Sequence, residues 1–118
     1  MLKLSHKKLN VWKQSMILIK EVYLFTKNLP SDEKYNLISQ MRRSAISVAS
    51  NIAEGFSRTT DKDKKRFLEI SRSSLVELDT QFEACIEIGY TKIKELDKFD
   101  DLINHIFAML TNLMKNFN

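Results

Sequence analysis

Apolar residues recur along this chain at spacings of three and four, over segments long enough to be helices. The clearest case is Gln40-Met-Arg-Arg-Ser-Ala-Ile-Ser-Val-Ala-Ser-Asn-Ile-Ala-Glu-Gly55. Met41, Ala45, Val48 and Ile52 fall on one face of a helix there. Gln40, Arg43, Ser47, Asn51 and Glu54 form a second stripe about a third of a turn away. A solvated face normally carries more Lys and Glu. Short hydrogen-bonding side chains instead suit a close helix contact or a buried polar network.

The same reading extends to three further segments and gives no strands. A first helix is expected from about Asn10 to Asn28, with Asn10 as N-cap and Trp12, Met16, Ile19 and Tyr23 facing inward. Pro30 ends it, because the residue before a proline avoids the helical region. The second helix is expected to start at Ser31 or Asp32 and run to Ser57, with Gly55 either in the last turn or at a close backbone contact. Thr60 and Asp63 resemble a capping box opening a third helix to about Ile88, with Phe67, Ile70, Ser74, Leu78, Phe82 and Cys85 inside and Gly89 as its C-cap. A fourth helix begins after Thr91 and ends near Lys115. Its seam of Leu96, Phe99, Ile103, Ile106, Leu110, Leu113 and Phe117 is the most regular in the chain. Long amphipathic helices joined by short loops predict an all-α fold, an antiparallel up-down-up-down four-helix bundle, with residues 1–118 as a single domain.

Composition agrees with that class. Two Gly and one Pro in 118 residues suit a bundle and not a sandwich with many tight turns. Cys85 is the sole cysteine and reads as a small core residue. The stretch Met1-Leu-Lys-Leu-Ser-His-Lys-Lys lacks the apolar core of a signal peptide, and no run approaches a membrane span, so a cytoplasmic, membrane-free protein is expected.

Nothing in the sequence points to catalysis. His6 and His105 are far apart, no Glu-x-x-His pair offers di-iron ligands, and neither a phosphate-binding Gly loop nor a nucleophile elbow occurs. No metal or cofactor is expected, and the protein is read as a non-enzyme. Arg43, Asn51 and Glu54 could serve a polar pocket or a nucleic-acid contact. The favoured reading joins them to Ser74, Glu77 or Gln81 of the third helix in a buried structural network. Trp12 and Tyr23 read as core residues and not as stacking platforms for bases.

Several short pieces, in order, carry a family resemblance: Leu9-Asn-Val-Trp12, Leu29-Pro-Ser-Asp-Glu33, Gln40-Met-Arg-Arg43, Asn51-Ile-Ala-Glu-Gly55, Phe67-Leu68, Ser74-Leu-Val-Glu-Leu78 with Gln81, and Ile88-Gly-Tyr90. Across Lys7 to Leu113 the chain resembles the four-helix-bundle proteins encoded in intervening sequences of bacterial 23S rRNA genes. Ser71 and Ser73 depart from that pattern, which usually has Ala and Gly there. The chain is also similar to the accessory variability determinant of diversity-generating retroelements, a basic ring that works with a reverse transcriptase. The resemblance implies a homo-oligomeric ring, a pentamer, and an association with RNA by context.

Charge provides the functional expectation. The net charge of +4 is uneven: Met1–Asn28 holds six Lys against Glu21, and Phe56–Ser73 holds six basic against three acidic residues. In an up-down bundle the start of the first helix and the junction of the second and third share one end. Lys7, Lys8 and Lys13 should therefore meet Arg58, Lys62, Lys65 and Arg66 there, forming a patch for RNA or DNA phosphates. The rival expectation is a protein-interaction or assembly module that binds no nucleic acid directly. It draws on apolar positions beyond one seam per helix: Ile17, Leu18, Val22, Leu24 and Phe25 on the first, and Phe107, Met109 and Met114 on the fourth.

Overall fold

The computed structural model describes residues 1–118 and contains four long helices and no strands. They are α1 (Asn10–Thr26), α2 (Ser39–Ser57), α3 (Asp61–Ile88) and α4 (Asp97–Met114). Each packs on its sequence neighbours, and α1 closes the bundle against α4. Named contacts fix the directions. Arg42 near the start of α2 donates to Thr26 at the end of α1, at 2.8 Å. Met41 of α2 meets Cys85 of α3 at 3.9 Å between sulfurs. Lys98 at the start of α4 pairs with Glu21 of α1 at 3.2 Å. Every adjacent pair is thus antiparallel.

The helix ends follow local chemistry. The Thr60 hydroxyl accepts the Asp63 amide at 3.1 Å, the expected N-cap of α3. Gly89 caps its other end in the left-handed region at φ 95°, where a Cβ would be strained. Two ends differ from expectation. Asn10 is not the N-cap of α1: the chain enters from a 3-10 turn (Ser5–Lys8), Leu9 takes the cap position, and the Asn10 amide reaches Met109 Sδ at 3.6 Å. The second helical segment does not begin as one α-helix at Ser31. A 3-10 turn (Ser31–Glu33) and a π turn (Lys34–Ile38) precede α2, with Leu37 buried and Tyr35 left in solvent. Likewise a 3-10 turn (Ile93–Leu96) leads into α4.

The core is a continuous apolar cluster. Met41, Ala45, Val48 and Ile52 of α2 are fully buried, as their spacing predicts. Leu78, Phe82 and Cys85 of α3, Leu96 of the turn before α4, and Phe99, Ile106, Leu110 and Met114 of α4 join them. On α1 the inner face lies one residue away from the expected one. Val11, Ser15, Leu18, Val22 and Thr26 are buried, whereas Trp12, Ile19 and Tyr23 are half-buried and Met16 is exposed. Ser15 and Thr26 can sit inside because each hydroxyl donates to the carbonyl four residues back, at 2.7 and 2.8 Å. On α3, Leu68, Ser71 and Leu75 take inner positions, and Ile70 faces solvent. Burial of Leu18, Val22 and Met114 shortens the set of surplus apolar residues, but Ile17, Leu24 and Phe107 remain exposed.

Beside Cys85, whose thiol pKa is raised by burial and then by the Glu33 charge, Tyr90 donates to Glu33 Oε2 at 2.6 Å. That hydrogen bond, aided by partial burial, pushes the phenol from 10.0 to about 12. A raised phenol pKa stabilises the fold below pH 10, and the contribution fades as pH climbs towards 12. The melting-temperature gap between wild type and Tyr90→Phe should therefore close between pH 10 and pH 12. A gap of equal size at both pH values would refute the coupling.

A candidate nucleic-acid interface at one end of the bundle

The start of α1, the end of α2, the start of α3 and the end of α4 meet at one end. Gly55 lets α2 and α3 converge there: a Cβ on Gly55 would lie 3.2 Å from the Lys64 carbonyl oxygen and 3.3 Å from Phe67 Cβ. Phe67 is thereby held at the edge of the helix pair. The Arg58 guanidinium lies 4.6 Å from its ring centroid and that of Arg66 5.1 Å. Two cations gathered on one half-buried ring form the centre of the site.

The seven basic residues singled out by sequence all lie at this end, but in different settings. Arg58 ends α2 in extended backbone and also pairs with Glu54 at 2.6 Å, so part of its charge is already met. Lys62 and Arg66 are exposed on the first turns of α3. Lys65 is half-buried and turns towards the end of α4, near Arg72, Thr111 and Lys115. Lys8 and Lys13 are exposed at the start of α1, while Lys7 is half-buried and donates to the Leu2 carbonyl. Between them His6 is buried edge-on to Trp12, with centroids 5.4 Å apart. Burial, and then the charge of Lys7, lower its pKa, so the neutral imidazole is favoured here.

Sequence reasoning placed Phe67 in the inner stripe, whereas it is half-buried beneath two guanidinium groups, and it did not single out Lys115 or Arg72 as neighbours of this end. Only the antiparallel course of α4 brings Lys115 to this end. Dividing each helix at its middle, residues 1–18, 48–74 and 106–118 hold eleven Lys and Arg against four Asp and Glu. Residues 19–47 and 75–105 hold eight against eleven. A modest net +4 thus separates into +7 at one end and −3 at the other. Such separation gives an extended polyanion a preferred approach.

The polar stripe of α2 behaves differently from the expected buried network. Asn51 donates to the Ser47 carbonyl and hydroxyl, both at 2.9 Å, and Ser47 meets Ser74 at 2.8 Å. Ser71 adds a bond to the Val48 carbonyl at 2.7 Å, so serine at this position ties α3 to α2; Ser73 faces solvent. Glu54 is not in this seam. One turn further along, it points out to Arg58, because the salt bridge is reachable from the exposed side of the helix. Arg43 and Glu77 are exposed as well, lining an open trough of about 360 Å³ with Gln40 and Gln81. Gln81 Oε1 is buried there without a partner. The two substitutions should therefore separate. Asn51→Leu should cost about 1–3 kcal/mol by removing the donor to Ser47 and setting an apolar side chain against the Ser47–Ser74 pair, whereas Glu54→Ala, which breaks an exposed pair, should cost under about 1 kcal/mol. Thermal melts that reverse this order would overturn the assignment.

No group of three or more His, Cys, Asp or Glu side chains is placed to hold a metal ion. No helix is long and apolar enough to cross a membrane. Comparison with known proteins matches residues 7–112 to the 23S rRNA-intervening sequence protein family. Among solved structures, a protein with unknown function from the S23 ribosomal protein family of Bacteroides thetaiotaomicron is similar, with a TM-score of 0.81 and 21% identity. That likeness covers 89% of this chain and 95% of the other, and at this identity it shows the shared four-helix fold. Proteins of curated function give no match.

Proposed function

We propose that this chain, which belongs to the 23S rRNA-intervening sequence protein family, acts as a non-catalytic nucleic-acid-associated binding module. Its basic end contacts the phosphate backbone of RNA or DNA, and a homo-oligomeric ring, a pentamer, repeats that end into a larger cationic surface. The observation that carries this reading is the separation of charge along the bundle, with +7 on the end that presents Lys8, Lys13, Lys62 and Arg66 to solvent. Point-like lysine contacts and a guanidinium-flanked Phe67 recognise phosphate and open base faces without reading sequence.

The test is a salt titration of a fluorescent oligonucleotide. Each phosphate contact releases counterions and contributes a log–log slope of about −0.7 for single strands and −0.9 for duplex DNA. Four contacts should therefore give a slope near −3 on single-stranded RNA. Absence of binding at low salt would overturn the reading in favour of the protein-interaction alternative.

A further inference from the structure

Opposite the basic end the molecule carries an unfilled acidic groove. Two confluent depressions of about 120 and 220 Å³ run between α3 and α4 and share Asp79 and Ile103. Ile86, Ile93 and Ile103 line the first and Phe107 the second; Ile93 is 72% exposed. Asp79, Glu83, Asp97 and Asp100 rim it, all exposed. The ion pairs of the chain are Glu54–Arg58 and Glu21–Lys98, so none of these four carboxylates has a cation. The groove thus sets exposed Ile93 and Phe107 and half-buried Ile86 and Ile103 beside unpaired charge of one sign, the complement of a segment that is both apolar and basic.

The chain also carries a segment of the complementary kind. Met1, Leu2 and Leu4 are exposed, with Leu2 at 71%, and Lys3 lies between the leucines with Lys7 and Lys8 close behind. Met1–Leu4 has no helical or strand structure. It cannot fill the groove of its own bundle. The turn that follows it packs on α1 and α2, across a body of 44 × 27 × 20 Å from the α3–α4 face, and four extended residues span only about 14 Å.

We propose that the segment Met1–Leu4 of one copy docks in the α3–α4 groove of a second copy, with Leu2 and Leu4 on the isoleucine-lined floor and Lys3 and Lys8 against the rim carboxylates. Segment and groove are different surfaces, so each contact leaves one of each free. The interface is head-to-tail and repeats until it closes. Apolar contact supplies the affinity, while the charges select the register and make assembly sensitive to salt. The inference rests on the assembly part of the proposed function; because Lys8 is also one of the phosphate-facing lysines, it is tested on assembly alone.

Light scattering without nucleic acid tests it. Wild type should give several times 13.8 kDa at micromolar concentration. Lys3→Glu with Lys8→Glu, and separately Asp97→Lys with Asp100→Lys, should each drop the mass to that of one chain while circular dichroism stays unchanged. Combining all four substitutions restores opposite charges across the contact and should recover the wild-type mass, a result that misfolding cannot produce. Leu2→Ser with Leu4→Ser should dissociate the assembly with no change of charge. Multimeric wild type whose mass survives every one-sided variant would overturn this docking and leave the ring standing. Monomeric wild type would overturn both.

Discussion

Reversing Lys62, Lys65 and Arg66 to Glu should abolish binding to a single-stranded oligonucleotide and leave the helices intact. All three lie on the first turns of α3, and none caps the helix, since Thr60 does that. Lys62 and Arg66 are exposed, so the change removes cations and inserts repulsion without opening the core. Losing the Lys62 and Arg66 contacts should flatten the log–log salt slope by about 1.4 units, and with the added repulsion affinity at low salt should fall by on the order of a hundredfold or more. Lys65 contributes the smallest share, because it turns towards α4. The matched control is Lys20, Lys27 and Lys34 to Glu, which imposes the same change of net charge at the opposite end. Equal losses in both triple variants would mean that net charge, and not a site, governs binding. Unchanged affinity in the α3 variant would remove the basic end from the proposal altogether.

The sequence revealed the apolar stripe Met41, Ala45, Val48 and Ile52 of α2, because small and branched residues at spacings of four and three mark it, but not the burial of Ser44 and Ala49 beside it, which are too small or too polar to register in that pattern. It misplaced the α1 face by one position because two of the residues that turn inward, Ser15 and Thr26, are polar. Their burial depends on bonds to their own helix carbonyls, which periodicity does not register. Bulky Trp12 and Met16 drew the expected stripe towards themselves. The shared end of the two basic clusters followed from topology alone, whereas the individual settings of Arg58 and Lys65 did not, because they depend on which neighbour each side chain can reach. Glu54 shows the limit most clearly. Counting along α2 places it on the polar stripe, yet the chain leaves the helix in extended backbone at Arg58 and returns a cation to it from outside.

Gly55→Leu should destabilise the bundle and weaken nucleic-acid binding together, although it changes no charge. Gly55 has an ordinary helical backbone, since Gly89 alone has a positive φ. Its value is therefore spatial. In an open helix, replacing Gly by Ala gains about 0.5–1 kcal/mol. Here the new Cβ would press on the Lys64 carbonyl oxygen at 3.2 Å and on Phe67 Cβ at 3.3 Å. That strain offsets the gain, and Gly55→Ala should melt close to wild type. Leucine has no such room. It must push the first turns of α3 away from α2, an overpacking cost of about 3 kcal/mol, which lowers the melting temperature by roughly 10 °C for a chain of this size. Phe67 moves with that turn, and Arg58 and Arg66 lose their shared ring. Affinity measured well below the variant's melting temperature should consequently drop several-fold at constant net charge. If Gly55→Leu melts early but binds as wild type, Phe67 and its two arginines are structural furniture of the junction, and the phosphate contacts lie with the lysines alone.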